Sequence, residues 1–188
     1  MPIKTKRIHL RPFKMSDYEV WRVASTGYSN KKSKYDRNPL SKAQSSRSAY
    51  AKRVSRYKKM AREDRVHVYG VFDRKSCELI GVLDIFIVCR DILQQANIGY
   101  RIFNKHWRKG FGSEALSAGI KLAFQVLRVN RVDALINLDN RASIALAKSV
   151  GMRSEGIRRK SFYQNEIWQD ERVFSAQRED WGFKKLRI

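Results

Sequence analysis

Apolar positions recur with a period of two in several short stretches of the chain and with a helical period between them. The alternating stretches predict strands at Arg7–Phe13, Val66–Phe72, Glu78–Val88, Ala96–Phe103 and Arg131–Asn137, with a closing pair at Arg153–Phe162 and Glu171–Gln177. Glu78–Val88 is apolar on both faces, which predicts a central strand. Arg7–Phe13 alternates apolar and basic residues, which predicts an edge strand.

Capping residues and apolar stripes predict four helices. The capping box Ser16-Asp17-Tyr18-Glu19 marks the start of the first, and Ser41 is the predicted cap of the second. Asn140 is the predicted cap of the fourth, which ends near Gly151. The stripes are Tyr50, Val54, Tyr57 and Ala61 in the second helix, and Leu116, Ile120, Ala123/Phe124 and Leu127 in the third.

The predicted elements follow one another as strand, two helices, three strands, helix, strand, helix and two strands. No internal repeat, low-complexity tract or linker interrupts this order. We therefore expect residues 1–188 to form a single α/β domain.

Positive charge is the most unusual feature of the composition. The chain has 40 Lys and Arg against 18 Asp and Glu, a net charge of +22. Residues 30–65 hold thirteen Lys and Arg and three acids, so part of the excess is local. Such a field attracts polyanions, although a solvated helix face would also look this way. The charge leaves open whether the polyanion is RNA, an acidic protein or the phosphates of a cofactor.

Several classes of protein do not fit the sequence. No run of eighteen apolar residues predicts a membrane span, and the N-terminus lacks the apolar core of a signal peptide. Cys77 and Cys89 are interpreted as reduced thiols, which predicts a cytoplasmic protein. No histidine stands at metal-ligand spacing from a cysteine or carboxylate, so no metal site is expected.

A glycine-bearing segment between the strand Ala96–Phe103 and the third helix is the strongest chemical signal. Main-chain N–H groups at such a turn bind anions, and glycines let the ligand approach the backbone closely. We expect this segment to hold a diphosphate, unless it is an ordinary strand-to-helix turn. The residues concerned are Arg108, Lys109, Gly110, Phe111, Gly112 and Ser113.

Two motifs together resemble the GNAT family of acetyl-CoA-dependent N-acetyltransferases, and in particular its RimJ/RimL-type branch, which acetylates the N-termini of ribosomal proteins. The phosphate-loop motif of that branch is matched by Trp107, Gly110, Glu114, Ala115 and Leu116. Its later motif is matched by Asn140, Ser143, Gly151-Met152 and Glu155-Gly156, with Met152 in place of the usual Phe. The resemblance extends over nearly the whole chain.

The resemblance implies a mixed, mostly antiparallel sheet of about seven strands with about four helices. It also implies that strand Gly99–Phe103 splays from Arg131–Asn137. Acetyl-CoA would be the cofactor, with its pantetheine arm along Ile102 and Phe103. Asn140 and Lys148 would contribute to the same site, and Tyr163 and Tyr100 would contact the acceptor. Tyr28, Tyr35, Trp168 and Trp181 are weaker candidates for an acceptor groove.

The chemistry implied is attack of an amine on the thioester. Many relatives donate a proton to the leaving thiolate from a Tyr, but the matching position here is Ala147. We expect Ser143 to supply that proton, although it also suits a helix-capping hydroxyl. Asn97 stands where many relatives have a basic Glu, and an amide can position a water but cannot accept a proton. The sequence leaves the general base unassigned, with Asp84, Glu166 and Asp170 as carboxylates of unknown position.

The absence of an assigned base favours one class of acceptor. An α-amine with a pKa near 7.7–8.0 is roughly a tenth neutral at pH 7, whereas a lysine amine is neutral to less than about one part in a thousand. The expected acceptor is therefore a protein N-terminus, such as that of a ribosomal protein, with the basic face meeting RNA, the ribosome or an acidic protein. Aminoacyl-tRNA and a small-molecule amine are alternatives, as is a non-catalytic RNA- or ribosome-binding module on the same scaffold. The sequence does not indicate how many copies of the chain associate.

Overall fold

Eight strands and four α-helices are present within residues 2–27, 31–164 and 166–186, which the computed structural model describes. The strands are β1 Ile3–Lys4, β2 Ile8–Pro12, β3 Val66–Asp73, β4 Leu79–Cys89, β5 Gln95–Ile102, β6 Arg131–Asn137, β7 Arg153–Gln164 and β8 Ile167–Gln177. The helices are α1 Tyr18–Thr26, α2 Arg47–Arg62, α3 Phe111–Gln125 and α4 Arg141–Ser149. The strand order is β1-β2-β3-β4-β5-β6-β8-β7, which makes β4 central as predicted.

The chain divides into two compact units. The first comprises Met1–Asp84 and Tyr100–Ala115, and the second comprises Ile85–Gly99 and Leu116–Ile188. Strands β4 and β5 and helix α3 pass from one unit into the other along the chain.

In the first unit, helices α1 and α2 bury aromatic residues. Trp21 of α1 and Tyr50 of α2 have ring centroids 4.7 Å apart, and the Tyr50 hydroxyl donates to the Lys14 carbonyl at 2.7 Å. The predicted α2 stripe is confirmed for Tyr50 and Val54, which are buried. The core cluster also contains Phe13, Ala24, Phe72, Leu79 and Phe103.

Both predicted helix starts in this unit are wrong. Helix α2 begins at Arg47, because the Ser46 hydroxyl accepts the Ala49 N–H, while Ser41 closes a separate turn by accepting the Gln44 N–H. Ser16 lies in a 3-10 turn ahead of α1, and the carboxylate of its neighbour Asp17 accepts the Lys14 N–H at 2.8 Å. Runs of serine and aspartate offer several caps, so the pattern alone could not choose among them.

The predicted edge strand also differs from the structure. Strand β2 pairs with β3 from Ile8↔Asp73 to Pro12↔Tyr69, but the short strand β1 pairs with its other side at Ile3↔Leu10.

In the second unit, β6 and β8 form an antiparallel ladder from Arg131↔Gln177 to Asn137↔Glu171. The predicted α3 stripe is confirmed, since Leu116, Ile120 and Phe124 are fully buried. Strand β8 begins at Ile167, four residues before the predicted start, because it continues a long hairpin with β7.

The implied splay of the strands is supported by the parallel pairing of β5 with β6. Gln95–Asn97 are registered with Arg131–Asp133 and, among the described residues, this pairing does not continue into Ala134–Asn137, although the whole of β6 pairs with β8.

Candidate functional site

The glycine-bearing segment of the first unit adopts an unusual backbone. Strand β5 leads through a 3-10 turn at Asn104–His106 into Trp107–Gly110, and α3 begins at Phe111. Arg108 and Gly110 have positive φ angles of 59° and 77°. Left-handed residues alternating with ordinary ones turn main-chain N–H groups towards one point, as in anion-binding nests. The N–H groups in the first turn of a helix point away from the helix and can donate to an anion, so this backbone suits a phosphate group.

Arg7 holds the loop from the N-terminal side. Its Nη1 donates to the Lys109 carbonyl at 2.7 Å, and its guanidinium lies 4.9 Å from the centre of the Phe111 ring. A Cβ atom at Gly110 would lie 3.0 Å from Arg7 Nη2, so a glycine is favoured there by space as well as by φ. The Trp107 indole donates to the Ile102 carbonyl at 2.6 Å and holds the loop to the end of β5.

Glu114, in the first turn of α3, completes this attachment. Its carboxylate accepts the Arg7 N–H at 2.8 Å and Arg7 Nε at 2.7 Å, and it also accepts the Thr5 hydroxyl. Burial tends to raise the pKa of Glu114, but the hydrogen bonds from Thr5 and Arg7 outweigh it, so the pKa is lowered. The sequence pattern places Glu114 only in a motif and indicates no role for Arg7 in this segment, because the two residues are 107 positions apart and no local spacing connects them.

The end of β5 is hydrogen-bonded to β4 along one of its edges. The Phe103 N–H donates to the Ile80 carbonyl at 2.9 Å. Because main-chain groups alternate in direction along an extended strand, those of Ile102 and Tyr100 point away from β4. This is the edge on which a pantetheine arm is expected, and the Ile102 carbonyl already accepts the Trp107 indole.

A half-buried carboxylate, Asp84, lies in β4 on the same sheet face as Val82, which packs against the α1–α2 core cluster. The guanidinium groups of Arg101 on β5 and Arg37 in the α1–α2 connection act on it electrostatically. Burial raises the pKa of Asp84, and the two arginines oppose that rise. No hydrogen bond to its carboxylate occurs among the residues that the structure describes.

The α1–α2 connection is fixed by the buried side chain of Asp36. Its carboxylate accepts the Lys32 N–H at 2.8 Å and the Asn104 side-chain amide at 3.0 Å. Asn104 follows β5, so this contact ties the connection that carries Arg37 to the segment before the loop.

In the second unit, Asn97 is registered opposite Asp133 of β6. Asp133 is 5% exposed, forms an ion pair of 2.8 Å with Arg131 Nε, and accepts the Gln95 amide at 2.6 Å. Burial raises the pKa of Asp133 against the effect of these partners. Arg131 also pairs with Glu155, so Asp133 belongs to an ion-pair network.

Helix α4 carries the other predicted polar residues of this unit. The Asn140 side-chain oxygen accepts the Ser143 N–H at 3.1 Å, which confirms the predicted cap. Ser143 is half-buried and Lys148 is exposed in the last turn. Ala147 is fully buried, so its position in the fold is a packing position without a hydroxyl. Gly151, with φ of 88°, ends the helix as predicted, because its N–H donates to the Lys148 carbonyl.

Tyr163 lies on the exposed β7–β8 hairpin, with its ring 5.1 Å from that of Trp168. Glu166 is in the turn of this hairpin, and the Asp170 carboxylate accepts the Lys160 N–H. Trp181 packs against Phe124, which explains it as a structural residue. Tyr28 lies outside the described residues, and Tyr35 is half-buried in the α1–α2 connection.

The local excess of positive charge is carried largely by α2. This helix contains no acidic residue, and its side chains Arg47, Lys52, Arg56, Lys58, Lys59 and Arg62 are exposed. In the part of the chain that the structure describes, no group of His, Cys, Asp and Glu is arranged to hold a metal, and no helix is long and apolar enough to cross a membrane.

Comparison with known proteins gives a family match over most of the chain. Residues 7–153 match the sequence model described as an acetyltransferase (GNAT) domain. The Bacillus subtilis protein named probable N-acetyltransferase YjcK is 32% identical over 124 residues, which are 66% of this chain and 68% of that protein. The [ribosomal protein uS5]-alanine N-acetyltransferase of Escherichia coli is 25% identical over 134 residues, or 71% of this chain and 69% of that protein.

The fold is also similar to solved structures. Mycobacterium smegmatis RimJ in complex with CoA-disulfide has a TM-score of 0.75 at 22% identity, covering 92% of this chain and 83% of that one.

Proposed function

Because the chain belongs to the acetyltransferase (GNAT) family, whose members use acetyl-CoA, we propose that it transfers the acetyl group to the α-amine of a protein N-terminus. The acceptor class rests on the similarity to the uS5-alanine acetyltransferase and on the amine argument from pKa values. The observation that carries the cofactor site is the Arg108–Gly110 backbone with its Arg7 and Glu114 attachments.

In this proposal the two units contribute to one acetyltransferase domain, and the family match spans residues of both. The N–H groups of the segment Arg108–Ser113 bind the diphosphate, and Ile102 and Phe103 lie along the pantetheine arm. Asn140 and Lys148 support the cofactor from α4, Ser143 gives a proton to the leaving thiolate, and Asn97 positions a water. Tyr100 and Tyr163 contact the acceptor.

The basic face of α2 suits an acceptor presented on an RNA-rich particle such as the ribosome. Six exposed cations on one helix without a neighbouring acid within it would hold phosphate groups and bind less tightly as salt is added. An acidic protein would meet the same charges, and a polycationic small molecule would be repelled. Cys77 and Cys89 are both free thiols, which supports a cytoplasmic setting.

The test is to incubate the protein with labelled acetyl-CoA and ribosomal fractions, and to identify by mass spectrometry which molecule gains the acetyl group. Label on a protein N-terminus is the expected result. Label that ribonuclease releases would instead indicate aminoacyl-tRNA, and label on a small amine would replace the proposed acceptor. Cofactor binding without transfer to any fraction would favour a non-catalytic ribosome-binding module.

A further inference from the structure

Among the carboxylates of the first unit, Asp84 is distinguished by how few groups hold it. Asp17 accepts the Arg11 guanidinium, Asp36 accepts Asn104, and Asp73 accepts main-chain N–H groups of the turn that follows it. Glu114 is held by Arg7 and Thr5. Each of these carboxylates has a structural task, whereas Asp84 has none among the described residues.

The position of Asp84 suits chemistry at β5. Strands β4 and β5 are neighbours in the sheet, and the Phe103 N–H donates to the Ile80 carbonyl, so Asp84, four residues further along β4, lies beside β5. Asp84 is on the face that also carries Val82. If coenzyme A is bound at Arg108–Ser113 with its arm running back along β5, the thioester end approaches the part of the strand that contains Arg101.

We propose that Asp84 is the general base that accepts a proton from the acceptor ammonium, directly or through one water. The inference rests on the proposed function, because it takes the acceptor to be an amine and the donor to be acetyl-CoA.

The protons and bonds balance as follows. The ammonium gives one proton to the Asp84 carboxylate and becomes a neutral amine, whose lone pair forms a C–N bond to the thioester carbonyl carbon. The C–S bond then breaks, and the thiolate leaves and takes a second proton of the original ammonium. The third proton stays on the product amide, and Asp84 releases its proton to solvent.

The electrostatics support this role. A carboxyl with its ordinary pKa is a weak base towards an ammonium, and burial moves the pKa of Asp84 upward, in the direction that strengthens it. Arg101 and Arg37 act on it electrostatically and oppose that rise, because positive charge favours the ionised carboxylate. Asp133 in the second unit also has a raised pKa, but its carboxylate is committed to Arg131 and Gln95.

The test compares Asp84→Asn with the matched control Asp91→Asn, an exposed residue in the turn after β4 whose positive φ of 51° an asparagine tolerates. Acetyl transfer is measured from pH 6 to 9.5 on an alanine-initiated peptide, on a peptide whose only free amine is a lysine side chain, and on spermidine. Binding of acetyl-CoA is measured for every variant to establish that the cofactor site is intact.

We expect Asp84→Asn to lower kcat/KM by about 10²–10³-fold at pH 6.5 and to bind acetyl-CoA within about twofold of wild type, as general-base catalysis typically contributes this much. The loss should shrink towards pH 9, because an α-amine then loses its proton unaided. Asp84→Glu should recover part of the rate, and Asp91→Asn should match wild type.

A wild-type rate for Asp84→Asn, or a loss that is equal at every pH, overturns the inference while leaving the proposed function in place. Transfer to spermidine or lysine but not to the alanine peptide overturns the proposed acceptor, and the Asp84 comparison is then decided on the amine that reacts. Transfer to none of the three amines by wild type overturns both.

Discussion

Asp84 in the first unit and Asp133 in the second are both strand aspartates whose pKa is raised by burial, yet their surroundings differ. Asp133 is 5% exposed, and Arg131 and Gln95 contact its two carboxylate oxygens. Asp84 is half-buried, and two guanidinium groups act on it electrostatically. Its carboxylate accepts no hydrogen bond among the described residues. The carboxylate of Asp133 is therefore held by its partners, whereas the carboxylate of Asp84 is available to a ligand.

A raised pKa alone therefore does not identify a catalytic carboxyl. Burial shifts both groups in the same direction, so the number of partners has to decide between a structural and a chemical role. A carboxylate that is paired with Arg131 and accepts the Gln95 amide stabilises its strand, whereas one without such partners can take a proton from a ligand.

The largest expected effect on stability is at Asp133. Asp133→Ala leaves Gln95 without its acceptor and removes one of the two carboxylates that hold Arg131, so it should lower the free energy of unfolding by about 2–3 kcal/mol. Asp84→Ala should change it by less than about 1 kcal/mol, as expected for a side chain outside such a network. Urea unfolding at pH 7 measures both values.

The distinction between the two aspartates would be contradicted if Asp84→Ala lowered the free energy of unfolding more than Asp133→Ala. It would also be contradicted if folded Asp133→Ala, saturated with acetyl-CoA, lost as much acetyl transfer as Asp84→Asn, since Asp133 would then act in the chemistry.

Glu114 is a third case, because it is a carboxylate whose partner Arg7 also holds the segment proposed to bind the cofactor. Glu114→Gln weakens the hydrogen bonds from Arg7 and Thr5, and we expect the Kd for acetyl-CoA to rise about three- to tenfold. Isothermal titration calorimetry measures this change. Glu63→Gln, which alters an exposed pair with Arg65 at the end of α2, is the matched control and should leave the Kd unchanged.

An unchanged Kd in Glu114→Gln would show that the loop keeps its backbone without the carboxylate. A loss of acetyl transfer at saturating acetyl-CoA would instead indicate that Glu114 takes part in catalysis. That result would contradict the interpretation that a carboxylate with several partners has a structural role.

The sequence predicts the element order, the α3 stripe and the glycine-bearing turn between β5 and α3, because period, glycines and motif spacing are local signals. It misplaced the starts of α1 and α2, where several side chains compete to cap. It also missed Arg7 and could not place Asp84, since the hydrogen bond of Arg7 to Lys109 and the electrostatic effects of Arg37 and Arg101 on Asp84 depend on segments far apart in the chain. Local patterns predict the elements, while the surroundings of Asp84 and the attachment of the Arg108–Ser113 segment depend on tertiary neighbours.

The smallest expected effect is the pH dependence of stability, and its sign separates Asp84 from Glu114. The pKa of Asp84 is raised in the folded protein, so its contribution is favourable below the ordinary aspartate pKa and is lost as pH rises through the folded value. The pKa of Glu114 is lowered, so its contribution is present above the ordinary glutamate pKa and is lost as pH falls through the folded value. Asp84→Asn should therefore be more stable than wild type at pH 7 by at most about 1 kcal/mol, with a difference that shrinks towards pH 4, whereas Glu114→Gln should be less stable at pH 7. Urea unfolding midpoints of wild type and both variants, measured between pH 4 and 7.5, test this prediction. If the stability difference from wild type changed with pH in the same direction for both variants, Asp84 would have partners as strong as those of Glu114.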